Sequence, residues 1–463
     1  MYRITTSSIL CIFLLIATGI KAQTSISGTV NSYYEVSAIS GNIITLTTSS
    51  GLSVSDEVLL IQMTGISGQG MAGGTDNGAG NFALTTIENI SGSNVTLGNL
   101  EGKVFTPSTE KVQLVKVSSH SNNVQLAADV SGSAWNGKTG GVIAIKACEN
   151  KIDLNGHDID ASGLGFFGRN SDFAQAARSC AENVSALGNE ENWGTDLAYA
   201  GGIVGTMGGA SGGTGRGGHG GCQGIIYTPA GGGGVGGHGA MSTLLRLSSG
   251  GGGGGYGGGG TGGGNFNAVM TGNDAPAVGT IFTTTSSLRM FMGGAGGSEE
   301  EFAVEAGNGG GIILLICDSL EGISGSQLKA NGEAAPVSDF SWMGANGYKI
   351  GAGGGGAGYI IVTAPSYISS NIGFEGIGGG AGAADTTADN EELGGAGGGG
   401  LVLASINIPS SQIDVSAGTR SAGNNSLAAA DGAFYQDALL DDYFCFTDSD
   451  NDGIPNLVDE DDD

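Results

Sequence analysis

Four times between Gly140 and Ser416 the chain repeats one pattern: a glycine lead, an apolar run of strand length, a turn, and a short alternating segment ending on small residues. The first copy is Gly140–Cys148 (GGVIAIKAC), followed by Ile152-Asp-Leu-Asn-Gly156 and Ile159-Asp-Ala-Ser-Gly163. The second is Gly310–Cys317 (GGIILLIC), with Leu320-Glu-Gly-Ile-Ser-Gly325 and Leu328-Lys-Ala-Asn-Gly332. Two more run from Gly358 to Gly376 and from Gly400 to Ser416. A single unit has too little apolar surface to fold alone, so the copies are expected to stack on one another. The expected architecture is a parallel β-roll or β-helix whose turns carry insertions of very different length. Measured from Cys148 and Cys317, the second strands start at the same offset, which predicts that these two cysteines lie on neighbouring coils, close enough to be considered for a bond.

Upstream, residues 23–135 read as a separate all-β domain. Asn42–Thr47, Glu57–Met63, Asn94–Gly98 and Val112–Val117 are β-branched or apolar runs bounded by glycine, serine and other turn formers. No segment has helical periodicity. The expected fold is therefore all-β: an N-terminal β-domain, a glycine-rich repeat domain over 136–420, a linker over 421–447 and an acidic repeat over 448–463. The repeat domain holds one long insertion, about 164–306, with glycine runs at 231–234, 250–255 and 257–260. Glycine loses the most backbone entropy on ordering, which favours a loose loop. Packed polyglycine-II-like helices, in which missing side chains let backbones approach, remain the alternative.

The segment from Met1 to Ala22 combines a basic start at Arg3, the apolar stretch Ile9–Ile16 and small residues before its end. That is the layout of a secretory signal peptide cleaved after Ala22. The apolar stretch is shorter than the roughly 20 residues of a membrane-spanning helix, so the mature chain is not expected to be an integral membrane protein. The expected location is secreted, extracellular or at the outer cell surface. Of the six cysteines, Cys11 leaves with the signal and five remain. Oxidation is permitted outside the cytoplasm and the odd number leaves a thiol over. Cys180 and Cys222 flank part of the long insertion and are candidates for a disulfide.

A formal net charge of −28 repels phosphate backbones, so nucleic acid is not an expected partner. It does attract cations. At the C-terminus Asp448, Asp450, Asp452 and Asn456 alternate with other residues, Gly453 permits a turn, the Ile454 carbonyl can add an oxygen and Asp459 can close a site in bidentate fashion. Hard oxygen ligands at such spacing suit calcium. The motif resembles thrombospondin type 3 calcium repeats more than an EF-hand. Signal, repeat and acidic motif together resemble the large glycine-rich surface and secreted proteins of Gram-negative bacteria that use type IX secretion. The glycine-rich part also resembles, more distantly, the glycine-rich domains of phage-tail adhesins. These resemblances imply a structural or adhesive role outside the cell, with a glycan or matrix ligand.

Enzyme chemistry has little to stand on in these residues. His120, His157, His219 and His238 show no metal-ligand spacing. Asp153, Asp158 and Asp160 can be drawn as carboxylate pairs, but surface acids are expected at this charge. No G-x-S-x-G, H-E-x-x-H or C-x-x-C occurs. The expectation is a non-enzymatic protein, with a carbohydrate-active β-helix lyase or hydrolase, or a passive spacer, as alternatives.

Overall fold

The computed structural model describes residues 23–64, 80–166 apart from 101 and 109, 288–296, 306–336, 352–382 apart from 370, 395–419, 429–437, the pairs 66–67, 75–76, 349–350 and 391–392, and residues 440 and 444. The strands are β1 (Gln23–Thr29), β2 (Ser32–Ser40), β3 (Ile43–Leu46), β4 (Glu57–Gln62), β5 (Ile66–Ser67), β6 (Thr75–Asp76), β7 (Phe82–Ser91), β8 (Asn94–Leu97), β9 (Val112–Lys116), β10 (Ser118–Ser119), β11 (Asn123–Ser131) and β12 (Val142–Asp153). They continue with β13 (Ile159–Asp160), β14 (Ile312–Gly322), β15 (Gln327–Lys329), β16 (Lys349–Ile350), β17 (Tyr359–Thr363), β18 (Ser366–Ser369), β19 (Gly373–Glu375), β20 (Glu391–Glu392), β21 (Leu401–Ala404), β22 (Ile413–Asp414) and β23 (Ala433–Gln436). Among the described residues a 3-10 turn, Ser410–Gln412, precedes β22.

Strands β2-β3-β8-β7-β4-β9 close into an antiparallel barrel. Its interior holds Tyr34, Val36, Ile44, Leu46, Val58, Leu60, Ile87, Val95, Leu97 and Leu114. All other long strands are parallel and wind into a roll with three sides. Side A stacks β10, the first half of β12, β14, β17, β21 and β23. Side B stacks the start of β1 and β11, the ends of β12 and β14, and β18. Side C stacks the ends of β1 and β11 with β13, β15, β19 and β22. The four repeats seen in the sequence are four successive coils of this roll. Coils at 23–29, 118–131 and 433–436 extend it at both ends, so the roll takes strands from both sides of the expected boundaries near 135 and 420.

Side A explains why its strands read as unbroken apolar runs. Ile143, Ile145, Ile313, Leu315, Ile360, Val362 and Val402 point into the roll. Val142, Ala144, Ile312, Leu314, Ile361 and Leu401 point outward into a second cluster that contains the barrel residues Leu59, Ile61, Phe82 and Val115. A parallel sheet covered on both faces loses the polar alternation of a half-exposed one. The same cluster takes Trp135, Phe166, Leu288, Met290, Phe291, Leu440 and Phe444, so barrel and roll share one apolar interface.

The two halves of β12 and β14 pair in different registers. Ala147 lies opposite Cys317 and Lys151 lies opposite Ser319, so four steps along β12 are matched by only two along β14. Between them β12 bulges, and Glu149 takes a positive φ of 60°. The expected adjacency of coils is therefore correct, but the cysteines are not equivalent. Cys317 is a buried member of the inner cluster, while the half-buried Cys148 packs on the outer one. Cys148 is disulfide-bonded and Cys317 is not, which excludes a bond between these two.

The glycine segments that lead into and out of each coil are ordered by a three-residue hydrogen-bond period. Successive N–H groups of residues 354 to 358 donate to the carbonyls of Gly395, Glu333, Gly294, Gly398 and Ala330. Every third donor thus returns to the same neighbour. Likewise Gly307 and Gly310 donate to Gly353 and Gly356, and Gly379 and Gly382 donate to Gly355 and Ala352. Three residues per turn is the repeat of a polyproline-II-type helix, and here such helices bond to neighbours on several sides. None of the glycines at 307–310, 354–358 and 379–382 has positive φ, unlike Gly140 and Gly141 at the head of the first coil, so in those segments conformational freedom is not why glycine is needed. Close approach is the reason. A β-carbon on Gly355, Gly358, Gly397 or Gly432 would fall closer than 3.0 Å to a neighbouring carbonyl oxygen. The glycine runs at 231–234, 250–255 and 257–260, for which two readings were open, lie outside the described residues; the described glycine segments pack as polyglycine helices.

Candidate functional site

The acidic motif of Asp448, Asp450, Asp452, Ile454, Asn456 and Asp459 lies outside the described residues, as do Cys180 and Cys222. Among the described residues no group of three or more histidines, cysteines or carboxylates is placed to hold a metal. The described chemistry is concentrated in two places: the open sides B and C of the roll, and the seam between roll and barrel.

Stacking coils in parallel register turns single polar positions into ladders. On side C, Ser131, Asp160, Lys329, Glu375 and Asp414 follow one another across the coils. Around them Lys329 Nζ pairs with Asp158 Oδ2 at 2.6 Å, Gln327 Nε2 donates to Glu375 Oε1 at 2.6 Å, and Asn331 Nδ2 donates to Glu375 Oε2 at 3.2 Å. On side B, Lys151 Nζ meets Glu321 Oε2 at 2.5 Å and Gln125 Nε2 donates to Asp153 Oδ2 at 3.2 Å. The hydrogen bond from Lys151 to Glu321 holds that ammonium above its ordinary pKa. For Lys329 burial pulls the other way, and contact with Asp158 together with nearby Asp160 and Glu375 leaves its pKa raised.

The carboxylates considered as acid–base pairs have backbone duties. Asp153 Oδ1 accepts from the N–H of Asn155 at 2.9 Å, Asp160 Oδ1 from Ser162 at 2.8 Å and Asp414 Oδ1 from Ser416 at 3.0 Å. Each is an Asx turn, in which the side chain satisfies an amide two residues on and bends the chain out of the strand. Asp158 Oδ1 accepts from the N–H of Gln327 on the next coil at 2.9 Å. Asp129 Oδ1 in turn accepts from the N–H of Asp158 at 3.0 Å, and that bond is the main reason its carboxyl sits below the usual range. The recurring D-x-N/S ending was visible in the sequence and marks where each coil turns.

The seam is held by buried amide side chains that copy backbone pairing. Asn31 Nδ2 donates to Lys116 O at 3.0 Å on the barrel and to Ala144 O at 2.8 Å on the roll, and Ala144 N donates back to Asn31 Oδ1 at 3.1 Å. Gln113, fully buried on β9, exchanges two bonds with Gly140 at 2.8 and 2.9 Å. At the rim, Glu57 of the barrel takes both Lys146 of the roll and the Ser119 hydroxyl. Beside it Ser118 Oγ lies 2.9 Å from His120 Nε2, and burial lowers the His120 pKa. Ser118 and His120 stand two residues apart on one chain segment, and the His120 N–H is tied to Lys146 O at 2.9 Å. The arrangement anchors the first full coil to the barrel.

Among the described residues no helix is long and apolar enough to cross a membrane. No family model, curated protein or solved structure matches the chain.

Proposed function

We propose that this chain is an exported structural component of the cell surface or its surroundings. It adheres through the polar ladders of sides B and C, with calcium held by the acidic segment from Asp448 to Asp459. The observation that carries the reading is the interlocked glycine lattice fused to a stacked roll. Its glycines are excluded from growing side chains by neighbouring backbone, and its amides are paired in several directions. Such a body suits the holding of a fixed shape. The leader, Met1 to Ala22, supports export, and the ladders of charged, amide and hydroxyl side chains on the open sides suit a glycan or matrix surface. Antibody labelling of intact cells that express the chain, with and without protease shaving, tests the location. The mature chain, beginning at Gln23, should be labelled and shaved from the surface. Recovery only in the cytoplasm with the leader still attached would sink the proposal.

Calcium uptake gives a separate expectation. The intact protein should bind calcium with a dissociation constant of about 10⁻⁴–10⁻³ M, the range of extracellular modules. Asp450→Ala/Asp452→Ala removes two of the proposed ligands, and calorimetric titration should show at least one ion lost. The strand signal of the roll should stay unchanged on chelation. Equal uptake by both proteins removes calcium from the reading.

A further inference from the structure

We propose that Cys148 is joined to Cys445, so that a disulfide fastens the C-terminal segment to the seam between barrel and roll. Cys148 is disulfide-bonded, and Cys317, the other described cysteine, is not. The Cys148 Sγ lies 3.9 Å from the carbonyl oxygen of Phe444, the residue directly before Cys445. Peptide planarity keeps a carbonyl oxygen about 2.8 Å from the next α-carbon. Cys445 follows that carbonyl by one peptide bond, so of the cysteines left to pair with Cys148 it is the one whose neighbour in the chain already touches the sulfur.

Phe444 is fixed there by packing. It is buried in the cluster shared by barrel and roll, together with Leu440. Its ring stacks on Phe82 of the barrel with centroids 6.0 Å apart and planes 7° from parallel. Strand alternation matters for the same reason. Ala147 pairs with Cys317 and both face the interior, so Cys148, one residue on, falls on the outer cluster where Phe444 packs. The cysteine count then closes. With Cys148 and Cys445 paired, Cys180 and Cys222 remain as the pair expected from the sequence, and Cys317 keeps its place inside the roll.

Forming the bond takes two protons and two electrons from the Cys148 and Cys445 thiols. The acceptor is a disulfide of a thiol oxidoreductase or a small molecule, which leaves as the dithiol. Cys445 precedes Asp448 by three residues, so the crosslink holds the acidic segment against the body with or without bound cation. That consequence rests on the calcium reading, whereas the bond itself does not.

Protein isolated from an oxidising compartment, alkylated and digested without reduction, is mapped by mass. One linked pair containing Cys148 and Cys445 is expected, disappearing on reduction. Cys445→Ser should make Cys148 alkylatable, and Cys148→Ser should do the same for Cys445. If Cys148→Ser does not fold, the tail variant Cys445→Ser gives the same reading. Linkage of Cys148 to Cys180 or Cys222, or alkylation of Cys148 in unreduced wild-type protein, overturns the proposal. A protein that shows the linked pair and takes up no calcium overturns only the calcium reading.

Discussion

Replacing Gly355 by alanine is expected to lower the unfolding free energy by about 3 kcal/mol or more, at the upper end of overpacking effects. The added methyl would meet the Asn308 carbonyl oxygen, its carbonyl carbon and the N–H of Gly309. These are backbone atoms that cannot rotate away as a side chain could. Asn308 and Gly309 are themselves held, since Glu333 N donates to Asn308 O and Gly309 N donates to Phe166 O. Relief would have to push neighbouring helices of the lattice apart and break period-three bonds on either side. Gly92→Ala is the control. Gly92 has a φ of 63° and open space around its β-position, so alanine there carries only the left-handed backbone cost of roughly 1–2 kcal/mol. Chemical denaturation of both variants separates the cases. Equal losses would mean that the glycines serve flexibility and not close approach.

The second large effect is expected at Asn31. Asn31→Leu keeps the branched shape but leaves the Ala144 N–H and C=O and the Lys116 C=O without the amide that pairs them. A buried polar group left unsatisfied costs about 1–3 kcal/mol, so a total loss of about 3 kcal/mol is expected. Gln113→Leu removes the equivalent pair of bonds to Gly140 and should fall in the same range. Because these amides join barrel to roll, hydrogen exchange should quicken at the outward positions of β9 and β12 before it does in the roll interior. A loss under about 1 kcal/mol for both variants would show that the apolar interface alone holds the seam.

How far the sequence revealed this arrangement depended on whether a residue's role left a pattern. Coils beginning at Gly140, Gly310, Gly358 and Gly400 were legible because each pairs a glycine lead with an apolar side-A strand. The coil at 118–131 was not, since its side-A strand is only Ser118–Ser119 and carries no apolar run. Strand Ala433–Gln436, in the segment read as a linker, has the same difficulty, being four residues long and only partly buried. The all-β class and the barrel strands followed from β-branched runs, yet nothing local indicated that Gln23–Thr29 would leave the barrel to pair with Asn123–Ser131. The bulge at Glu149 was also hidden, because the second strands of the two coils keep a constant offset. The sequence separation of the Ile159 and Leu328 pair falls midway between the separations found before and after the bulge, so the slip averages out. In the site, Asp153 and Asp160 looked like candidate acids because charge was read without the Asn or Ser two positions later. The polyglycine lattice was undecidable from composition, since a residue without a side chain carries no periodic mark. Its period appears only in which carbonyl each N–H finds.

That lattice also bears on how the protein responds to temperature. Burying apolar surface makes the heat capacity of unfolding large and positive, while burying peptide groups contributes with the opposite sign. The glycine helices bury amides and carbonyls with almost no hydrocarbon attached, whereas the roll interior is aliphatic. Per residue, the lattice therefore adds less curvature to the stability curve than an ordinary core does. Its hydrogen bonds do not fade on cooling as hydrophobic contacts do. The region of the molecule built from the fewest side chains is thus the one whose contribution changes least between a cold environment and a warm one.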